Sequence, residues 1–306
     1  MNSSKLHRTI GIDLGGTKIS FLDMYTPENI ITELTVKTPT TLDDLVSTLT
    51  KTIKDLIHVE PNLPVGIGIA VAGQINQANK SIIFSPNLPI KTEFPLGTKL
   101  EDALNLPVSI ENDANAAAIG EKVFGAAKDI DDFIMLTLGT GVGAGIFVGG
   151  RLLTGSMGAG GEAGHILIDP NGPKCGCGAN GCLEAFASGT AIARMAKDSF
   201  VKKISARDLS LIASDGDLKA MEIFEKAGER LGDGLVTLIN LFNPAAIFFC
   251  GSLTNAPNNY FIPAFQKVRN SSFGTMGAEV ILETSKFSDN IGVIGAASLP
   301  IIMDRR

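Results

Sequence analysis

The chain has 306 residues, of which 44% are hydrophobic, so it can bury a large core, and its length favours two domains over one. Its 32 acidic residues outnumber its 26 Lys and Arg residues, and the resulting net charge of -6 argues against a nucleic-acid partner. No apolar run reaches the roughly 18 residues of a membrane span, and Asp13 interrupts the first apolar stretch. We therefore expect a cytoplasmic protein with no membrane partner.

The stretch from Ile10 to Met24 predicts two strands joined by a glycine-rich turn. Glycines allow backbone N–H groups to approach phosphate oxygens, and the flanking side chains could add donors and a magnesium ligand. The turn lacks the spacing of a Walker P-loop, and a plain hairpin turn is an equally good interpretation of this stretch by itself. The candidate contacts are Asp13, Gly15, Gly16, Thr17 and Lys18.

The next elements predict a helix and two buried strands. From Thr41 to His58 the apolar residues recur on one helical face, and Thr41 and Asp44 have the spacing of a capping box. Val65 to Gly73 and Leu106 to Asp113 are apolar runs that end in glycine or polar residues. Such ends are where open α/β sheets bind ligands.

Asn112 and Asp113 follow the second of these strands and precede a run, up to Glu121, that is suited to a helix. Both residue types commonly cap helices, and this is the plainer interpretation. The carboxylate of Asp113 could also accept a proton from a substrate hydroxyl. The two roles are compatible because the start of the helix lies at the ligand-binding edge of the sheet.

The stretch from Ile134 to Leu152 repeats the strand, glycine turn and strand of the N-terminal segment, which indicates an internal duplication. Two matched turns that face each other would hold a polyphosphate from both sides. The second turn consists of Gly139, Thr140 and Gly141.

Three of the four cysteines lie in "GHILIDPNGPKCGCGANGCLE", which ends at Glu184 and includes His165. With the histidine they supply the Cys₃His ligand set of a closed, structural zinc site. Free thiols in a glycine-rich loop are the plainer alternative, and the spacing does not fit a redox CxxC pair. The candidate ligands are His165, Cys175, Cys177 and Cys182, whereas Cys250 lies in an apolar strand and is interpreted as a core residue.

Leu218 to Phe242 predicts a long helix that ends before Pro244, and Ala245 to Ser252 predicts the strand after it. Strands and helices thus alternate along the chain. The predicted fold class is α/β.

Five motifs, "DLGGTK", "ENDANAAAIGE", "LGTGVGAG", "GEAGH" and "CGCGANGCLE", occur in an order that resembles the ROK family of sugar kinases. The resemblance covers Ile10 to Ala297 and is closest to the bacterial ATP-dependent glucokinases. It implies a two-domain, actin-like (ribonuclease H-like) kinase fold with its active site in the interdomain cleft, phosphorylating the 6-hydroxyl of glucose.

The resemblance also implies a role for each matched residue. Asp113 would be the general base, ATP would bind with Mg²⁺ at the two glycine turns and at Gly251, and the Cys₃His cluster would hold a structural Zn²⁺. The cluster would position sugar-binding groups, with the nucleotide turns lying elsewhere. Two positions depart from the family pattern: Cys250 stands where a glycine is common, and Ala72 where a proline is frequent. The implied sugar contacts are Asn87, Asn112, Asp113, Glu162, His165 and Glu184.

The expected domains are discontinuous: residues 1–115 with 290–306 form a small α/β domain, and residues 116–289 form a large α/β domain with the zinc-binding loop. The resemblance further implies a homodimer or homotetramer.

Three other functions compete with a glucokinase. A repressor of the same family would need a helix-turn-helix domain ahead of the first turn, and only twelve residues precede Asp13. A metal or redox sensor would leave the paired turns without a role. A kinase for N-acetylmannosamine, N-acetylglucosamine or fructose would retain Asp113, and it is the alternative left open.

Overall fold

The computed structural model describes residues 7–200 and 204–303 and divides the chain into two compact units. The first unit comprises Met1–Asp129, Thr154–Gly160 and Asn290–Arg306, and the second comprises Ile130–Leu153 and Gly161–Asp289. The described part of the chain contains strands and helices in alternation, and no described helix is long and apolar enough to cross a membrane.

The strands are β1 (Thr9–Leu14), β2 (Lys18–Thr26), β3 (Asn29–Lys37), β4 (Gly66–Val71), β5 (Gln74–Asn76), β6 (Ser81–Phe84), β7 (Val108–Asn112), β8 (Phe133–Leu138), β9 (Val142–Val148), β10 (Arg151–Leu152), β11 (Ala246–Cys250) and β12 (Ile281–Thr284). The α-helices are α1 (Leu42–Ile57), α2 (Leu96–Leu104), α3 (Asp113–Phe124), α4 (Glu184–Ala187), α5 (Gly189–Ser199), α6 (Ala206–Ser214), α7 (Leu218–Phe242), α8 (Asn258–Ser271), α9 (Met276–Glu279) and α10 (Ile291–Met303).

The first unit is built on a five-stranded sheet in the order β3-β2-β1-β4-β7. Strands β1, β4 and β7 are parallel, whereas β1, β2 and β3 form an antiparallel meander. Strand β4 is buried along its whole length because helices cover both faces of the sheet. Helix α1 contributes Leu45, Leu49, Ile53 and Leu56 to the core on one face. The backbone of α10 packs on the other face, against Gly68.

The second unit repeats this plan with a sheet in the order β10-β9-β8-β11-β12. Strands β8, β9 and β10 are antiparallel to one another in turn, and β11 and β12 run parallel to β8. The predicted repeat of strand, turn and strand is therefore confirmed, since β1-β2 and β8-β9 occupy matching places in the two sheets. In the core of the second unit, helices α7 and α8 pack against the sheet.

The predicted long helix and the predicted helix after Thr41 are confirmed at their predicted positions. Helix α7 runs from Leu218 to Phe242 and ends at Asn243 in the left-handed conformation. At the start of α1, the Thr41 hydroxyl accepts the Asp44 backbone N–H and donates to the Asp44 carboxylate at 2.6 Å. These features depend on local spacing alone, which is why the sequence predicts them.

The first unit continues to Asp129, beyond the expected domain limit at residue 115. The expected limit falls inside α3, a buried helix that packs against α10. An added Cβ at Gly295 of α10 would lie 1.9 Å from the Ala116 carbonyl oxygen, so the two helix backbones are in direct contact. Cutting the chain at 115 would split this helix pair.

Arg8 and Asp23 form an ion pair in the first unit that local sequence patterns do not indicate. Their side chains are only 1% and 0% exposed, and two N–H···O contacts of 2.9 and 2.6 Å join them. The guanidinium also donates to the carbonyls of Leu56, Glu60 and Asn62, at and beyond the end of α1. The pair thus connects the end of α1 to the sheet.

We predict that Arg8→Met destabilises the protein by about 3–5 kcal/mol, because it leaves the Asp23 carboxylate buried without its partner. Replacing both partners, as Arg8→Met with Asp23→Leu, should recover the part of that loss that comes from the unpaired carboxylate, while the carbonyls of Leu56, Glu60 and Asn62 still lack their donor. The free energy of unfolding in urea measures both effects. Lys226→Met, which breaks the exposed Lys226–Glu222 pair, is the control and should change little. An effect of Arg8→Met as small as that of the control would show that the buried pair contributes no more to stability than the exposed one.

Candidate active site and metal centre

In the first unit, the carboxyl ends of β1, β4 and β7 lie at one edge of the sheet because these strands are parallel. Asp13 of β1 is opposite Ala70 of β4, which in turn is opposite Glu111 of β7. The residues that follow these positions, the first glycine turn and Asn112-Asp113, therefore share that edge. The structure thus brings together the residues predicted at the ends of β1 and β7.

Asp13 is a half-buried carboxylate at this edge. Burial and then the negative charge of Asp113 raise the pKa of Asp13 to about 6, with Lys18 opposing the shift. The two carboxyl groups are thus close enough to repel each other. Carboxylate oxygens are the protein ligands that Mg²⁺ prefers, so a cation here would relieve the repulsion.

Thr38 holds the first glycine turn by two hydrogen bonds, and most of the turn is exposed to solvent. The Thr38 hydroxyl donates to the Gly15 carbonyl at 2.7 Å, and the Thr38 N–H donates to the Thr17 carbonyl at 3.0 Å. Gly16, Thr17 and Lys18 are exposed. Asn87 lies against the turn, since its Cβ and its carbonyl oxygen would each be 2.9 Å from a Cβ at Gly16.

Asn112 and Asp113 begin helix α3. The Asn112 Oδ1 accepts the N–H groups of Ala114 and Asn115 at 2.9 and 3.2 Å, and its Nδ2 donates to the Gly73 carbonyl at 3.1 Å. The interpretation as a helix cap is therefore confirmed for Asn112. Asp113 Oδ1 accepts the Ala114 N–H at 2.9 Å, so its carboxylate is positioned at the positive end of the helix.

In the second unit, the turn Gly139–Gly141 joins β8 to β9 and is supported by the start of α5. The Gly189 N–H donates to the Gly139 carbonyl at 2.7 Å, and the Thr190 hydroxyl donates to the Thr140 carbonyl at 2.7 Å. Gly251 follows β11 beside this turn, and a Cβ there would lie 2.6 Å from the Leu138 carbonyl oxygen. The second turn and Gly251 therefore adjoin each other.

A cavity of about 480 Å³ opens beside Gly139 and Thr140. Its walls come from this turn, helix α5, the start of α6 and Ser252. Sequence reasoning missed these helix residues, although "SGT" at 188–190 is a third glycine and threonine step that could have indicated them. The basic side chains of the wall are Arg194, Lys197 and Arg207.

The three cysteines and His165 of the predicted metal site come together. Their ligand atoms all lie within 4.8 Å of one another, with Cys177 Sγ 3.6 Å from Cys182 Sγ and Cys175 Sγ 3.6 Å from His165 Nδ1. A tetrahedral zinc with Zn–S bonds of about 2.3 Å needs ligand separations of roughly 3.8 Å. The four residues thus fit a Cys₃His zinc ion, and the sulfur separation is too long for a disulfide.

The thiols of this cluster differ in their surroundings. Burial raises the pKa of Cys175 to about 12 and also raises the pKa of Cys182, whereas the Ala179 N–H is the main cause of a lowered pKa at Cys177. A bound metal ion would favour the thiolate at all three positions. Cys250 is buried in β11, away from the cluster.

Two glutamates flank the cluster in different ways. Glu162 is exposed, with its Oε2 4.0 Å from the second ring nitrogen, Nε2, of His165. Glu184 places Oε1 3.7 Å from Cys175 Sγ and accepts the Val142 N–H on Oε2 at 3.0 Å. The expectation that the nucleotide turns lie elsewhere is therefore wrong for the second turn, because β9 begins at Val142 directly after that turn.

The fold and these features define a class of protein. Two α/β units with the same strand order, each with a glycine turn after its first strand, form the two-domain, actin-like (ribonuclease H-like) sugar kinase fold. Residues 9–301 match the ROK family, and the chain belongs to that family.

Two relatives show the range of proteins in this family that the chain resembles. It is 34% identical to the glucokinase of Thermotoga maritima, over 95% of this chain and 96% of that protein. It is 36% identical to the xylose repressor of Bacillus subtilis, over 78% of this chain and 61% of that protein. Membership of the family by itself therefore does not distinguish a kinase from a repressor.

Two solved structures share the fold over nearly the whole chain. A ROK hexokinase from Thermus thermophilus is 32% identical with a TM-score of 0.86, covering 97% of this chain and 99% of that one. A ROK glucokinase from Streptomyces griseus, solved in complex with glucose and AMPPNP, is 33% identical with a TM-score of 0.81, covering 95% and 98%.

We predict that Cys177→Ser lowers the zinc content of the purified protein toward zero, because a closed four-ligand site loses one of its thiolates. Atomic absorption on folded protein measures the content. Cys250→Ala, which removes the cysteine outside the cluster, is the matched control and should leave it unchanged. Equal zinc in wild type and Cys177→Ser would refute the assignment of these ligands.

Proposed function

We propose that the protein is an ATP-dependent hexose kinase that phosphorylates the 6-hydroxyl of glucose. The observation that carries this proposal is the position of Asp113, at the start of α3, where its negative charge adds to the effect of burial in raising the pKa of Asp13. A carboxylate base beside a candidate magnesium ligand, at the edge of the sheet that holds an exposed glycine turn, suits phosphoryl transfer to an alcohol. Likeness to glucokinases supports glucose as the acceptor.

Asp113 is the general base in this proposal. In phosphoryl transfer the attacking hydroxyl loses its proton late, so an ordinary carboxylate can accept it and catalysis depends mainly on position and electrostatics. Asn112 and the backbone of α3 hold Asp113 in place through the cap described above. The hydroxyl groups of the sugar would pair with carboxylate, amide and imidazole groups. These proposed contacts are Asn87, Asn112, Asp113, Glu162, His165 and Glu184.

The nucleotide would use Asp13 and the two glycine turns. Asp13 would bind Mg²⁺, and Lys18 with the N–H groups of Gly16 and Thr17 would contact phosphate oxygens beside Gly15, whose own N–H donates to the Lys18 carbonyl. The turn Gly139–Gly141 would also contact phosphate oxygens. The nucleoside would occupy the cavity of about 480 Å³ that adjoins this second turn and Gly251. The basic side chains of its wall suit a nucleoside that carries phosphate groups.

The zinc would be structural in this proposal. The loop from Pro170 to Gly181 is rich in Gly, Pro and Asn and has few large apolar side chains, so burial alone offsets little of the entropy of ordering it. The four ligands would hold a metal ion that closes this loop. His165 would use Nδ1, the nitrogen that faces Cys175, and keep Nε2 for the sugar.

We predict that glucose gives the highest kcat/KM with Mg-ATP in a coupled assay of a hexose panel. A site that pairs each hydroxyl leaves buried polar groups unsatisfied when one hydroxyl is missing or inverted. A higher kcat/KM for N-acetylmannosamine, N-acetylglucosamine or fructose would replace glucose by that sugar. No turnover with any sugar, together with sugar binding in calorimetry, would favour a sugar-sensing function such as that of the family's repressors.

We predict that Asp113→Asn lowers kcat by roughly 10²- to 10⁴-fold, because the amide keeps the shape of the side chain but cannot accept the proton. Glucose affinity, measured by calorimetry, should stay within about tenfold. Asp102→Asn, at an exposed position on α2, is the matched control and should retain full turnover. Near-normal kcat with only a raised KM in Asp113→Asn would show that another group is the base.

A further inference from the structure

Val142, the first residue after the second glycine turn, is held by segments that carry the metal ligands. Its N–H donates to Glu184 Oε2 at 3.0 Å, and Glu184 is two residues after Cys182. The same carboxylate lies against the turn itself, because a Cβ on Gly141 would be 2.4 Å from Oε2. The other oxygen, Oε1, is 3.7 Å from Cys175 Sγ. One carboxylate therefore contacts both the turn and the cluster.

A second contact reaches Val142 from the histidine side. Gly164, next to His165, lies so close to Val142 that an added Cβ would be 1.9 Å from the Val142 carbonyl oxygen. Gly164 belongs to the short 3₁₀ helix Ala163–His165, which packs on the start of β9. The N–H of Val142 thus donates to the segment after the cysteines, and its carbonyl oxygen lies against Gly164 in the segment that carries the histidine.

We propose that metal binding at the Cys₃His cluster and phosphate binding at Gly139–Gly141 are energetically linked, with Glu184 as the positioning residue that connects them. The inference rests on the proposed nucleotide role of this turn. It goes further by assigning to Glu184 a second task, beside any contact with sugar, and by making the metal site part of the nucleotide site.

The physical basis of this linkage is that the Glu184 carboxylate contacts both the Val142 N–H and the Cys175 thiol. The metal ligands order the loop that ends at Glu184, and this fixes where the carboxylate can accept the Val142 N–H. A polyphosphate that binds the turn selects the arrangement in which the N–H groups of the turn are held in place. Linkage is reciprocal, so the nucleotide must retain the metal as much as the metal favours the nucleotide. Couplings of this kind typically change affinity by roughly 5- to 150-fold.

The experiment measures the zinc affinity of the purified protein from the equilibrium partition of zinc between the protein and a chromogenic chelator. It is run without ligand, with saturating Mg-AMPPNP and with saturating adenosine, all without sugar. Mg-AMPPNP should raise the zinc affinity at least about fivefold, whereas adenosine, which has no phosphates for the turn, should have little effect. Calorimetry measures AMPPNP and adenosine affinity in parallel. The wild-type comparison tests the linkage without any variant.

Substitutions test the role of Glu184. Glu184→Ala should bind zinc but lose the effect of AMPPNP on zinc affinity, because no carboxylate contacts Val142. Glu162→Ala is the matched control: it removes the other glutamate beside the cluster, whose carboxylate approaches His165 on the side of Nε2, and should keep the full effect. Glu184→Gln retains an oxygen acceptor and should show an intermediate effect, since a neutral acceptor forms a weaker hydrogen bond. It also serves if the alanine variant does not fold.

The outcomes separate this inference from the proposed function. AMPPNP that binds wild type without raising its zinc affinity overturns the linkage and leaves the kinase proposal intact. A full effect in Glu184→Ala overturns the role of Glu184. Protein that holds no zinc, or that does not bind AMPPNP in calorimetry, overturns the inference, and in the second case it also contradicts the proposed kinase.

Discussion

The hydrogen bond from the Val142 N–H to the Glu184 carboxylate is the contact on which the second unit's candidate site depends. This bond connects the second glycine turn to the segment that follows the cysteine cluster, because Glu184 begins α4. Helix α5 comes directly after α4, and its first residue, Gly189, donates to the same turn. A turn of glycines has little rigidity of its own. Its shape is therefore set by the side chains and backbone groups that surround it, and Glu184, which also contacts Cys175 of the cluster, is among them.

The first unit positions its chemistry by a different constraint, the parallel pairing of β1, β4 and β7. Parallel strands place their carboxyl ends at one edge, and Asp13 and Asp113 approach each other there. Burial and then the negative charge of Asp113 raise the pKa of Asp13. Holding two carboxylates together is unfavourable until a cation binds. The arrangement therefore suits a protein that binds a divalent cation with its anionic ligand.

Several features could be predicted from the sequence because they depend on neighbours in the chain. Helix α1 follows from its apolar spacing and the Thr41 cap, and the Cys₃His ligand set follows from the spacing of its cysteines. Features that join distant segments could not be predicted in this way. The Arg8–Asp23 pair reaches carbonyls up to Asn62, and the cavity wall unites the second turn with α5, α6 and Ser252. The expected limit at residue 115 failed to anticipate the packing of α3 on α10 for the same reason.

The sequence by itself determined the α/β class, the repeated strand–turn–strand units, the residue types of the candidate sites and the resemblance to a family. Each of these depends on periodicity, on short spacings or on motifs in a fixed order. The tertiary structure decided which groups meet: that Glu184 contacts Val142, 42 residues away, and that α5 supports the turn. Such contacts depend on sheet register and helix packing, and these arise from the sum of many weak interactions that no local pattern encodes.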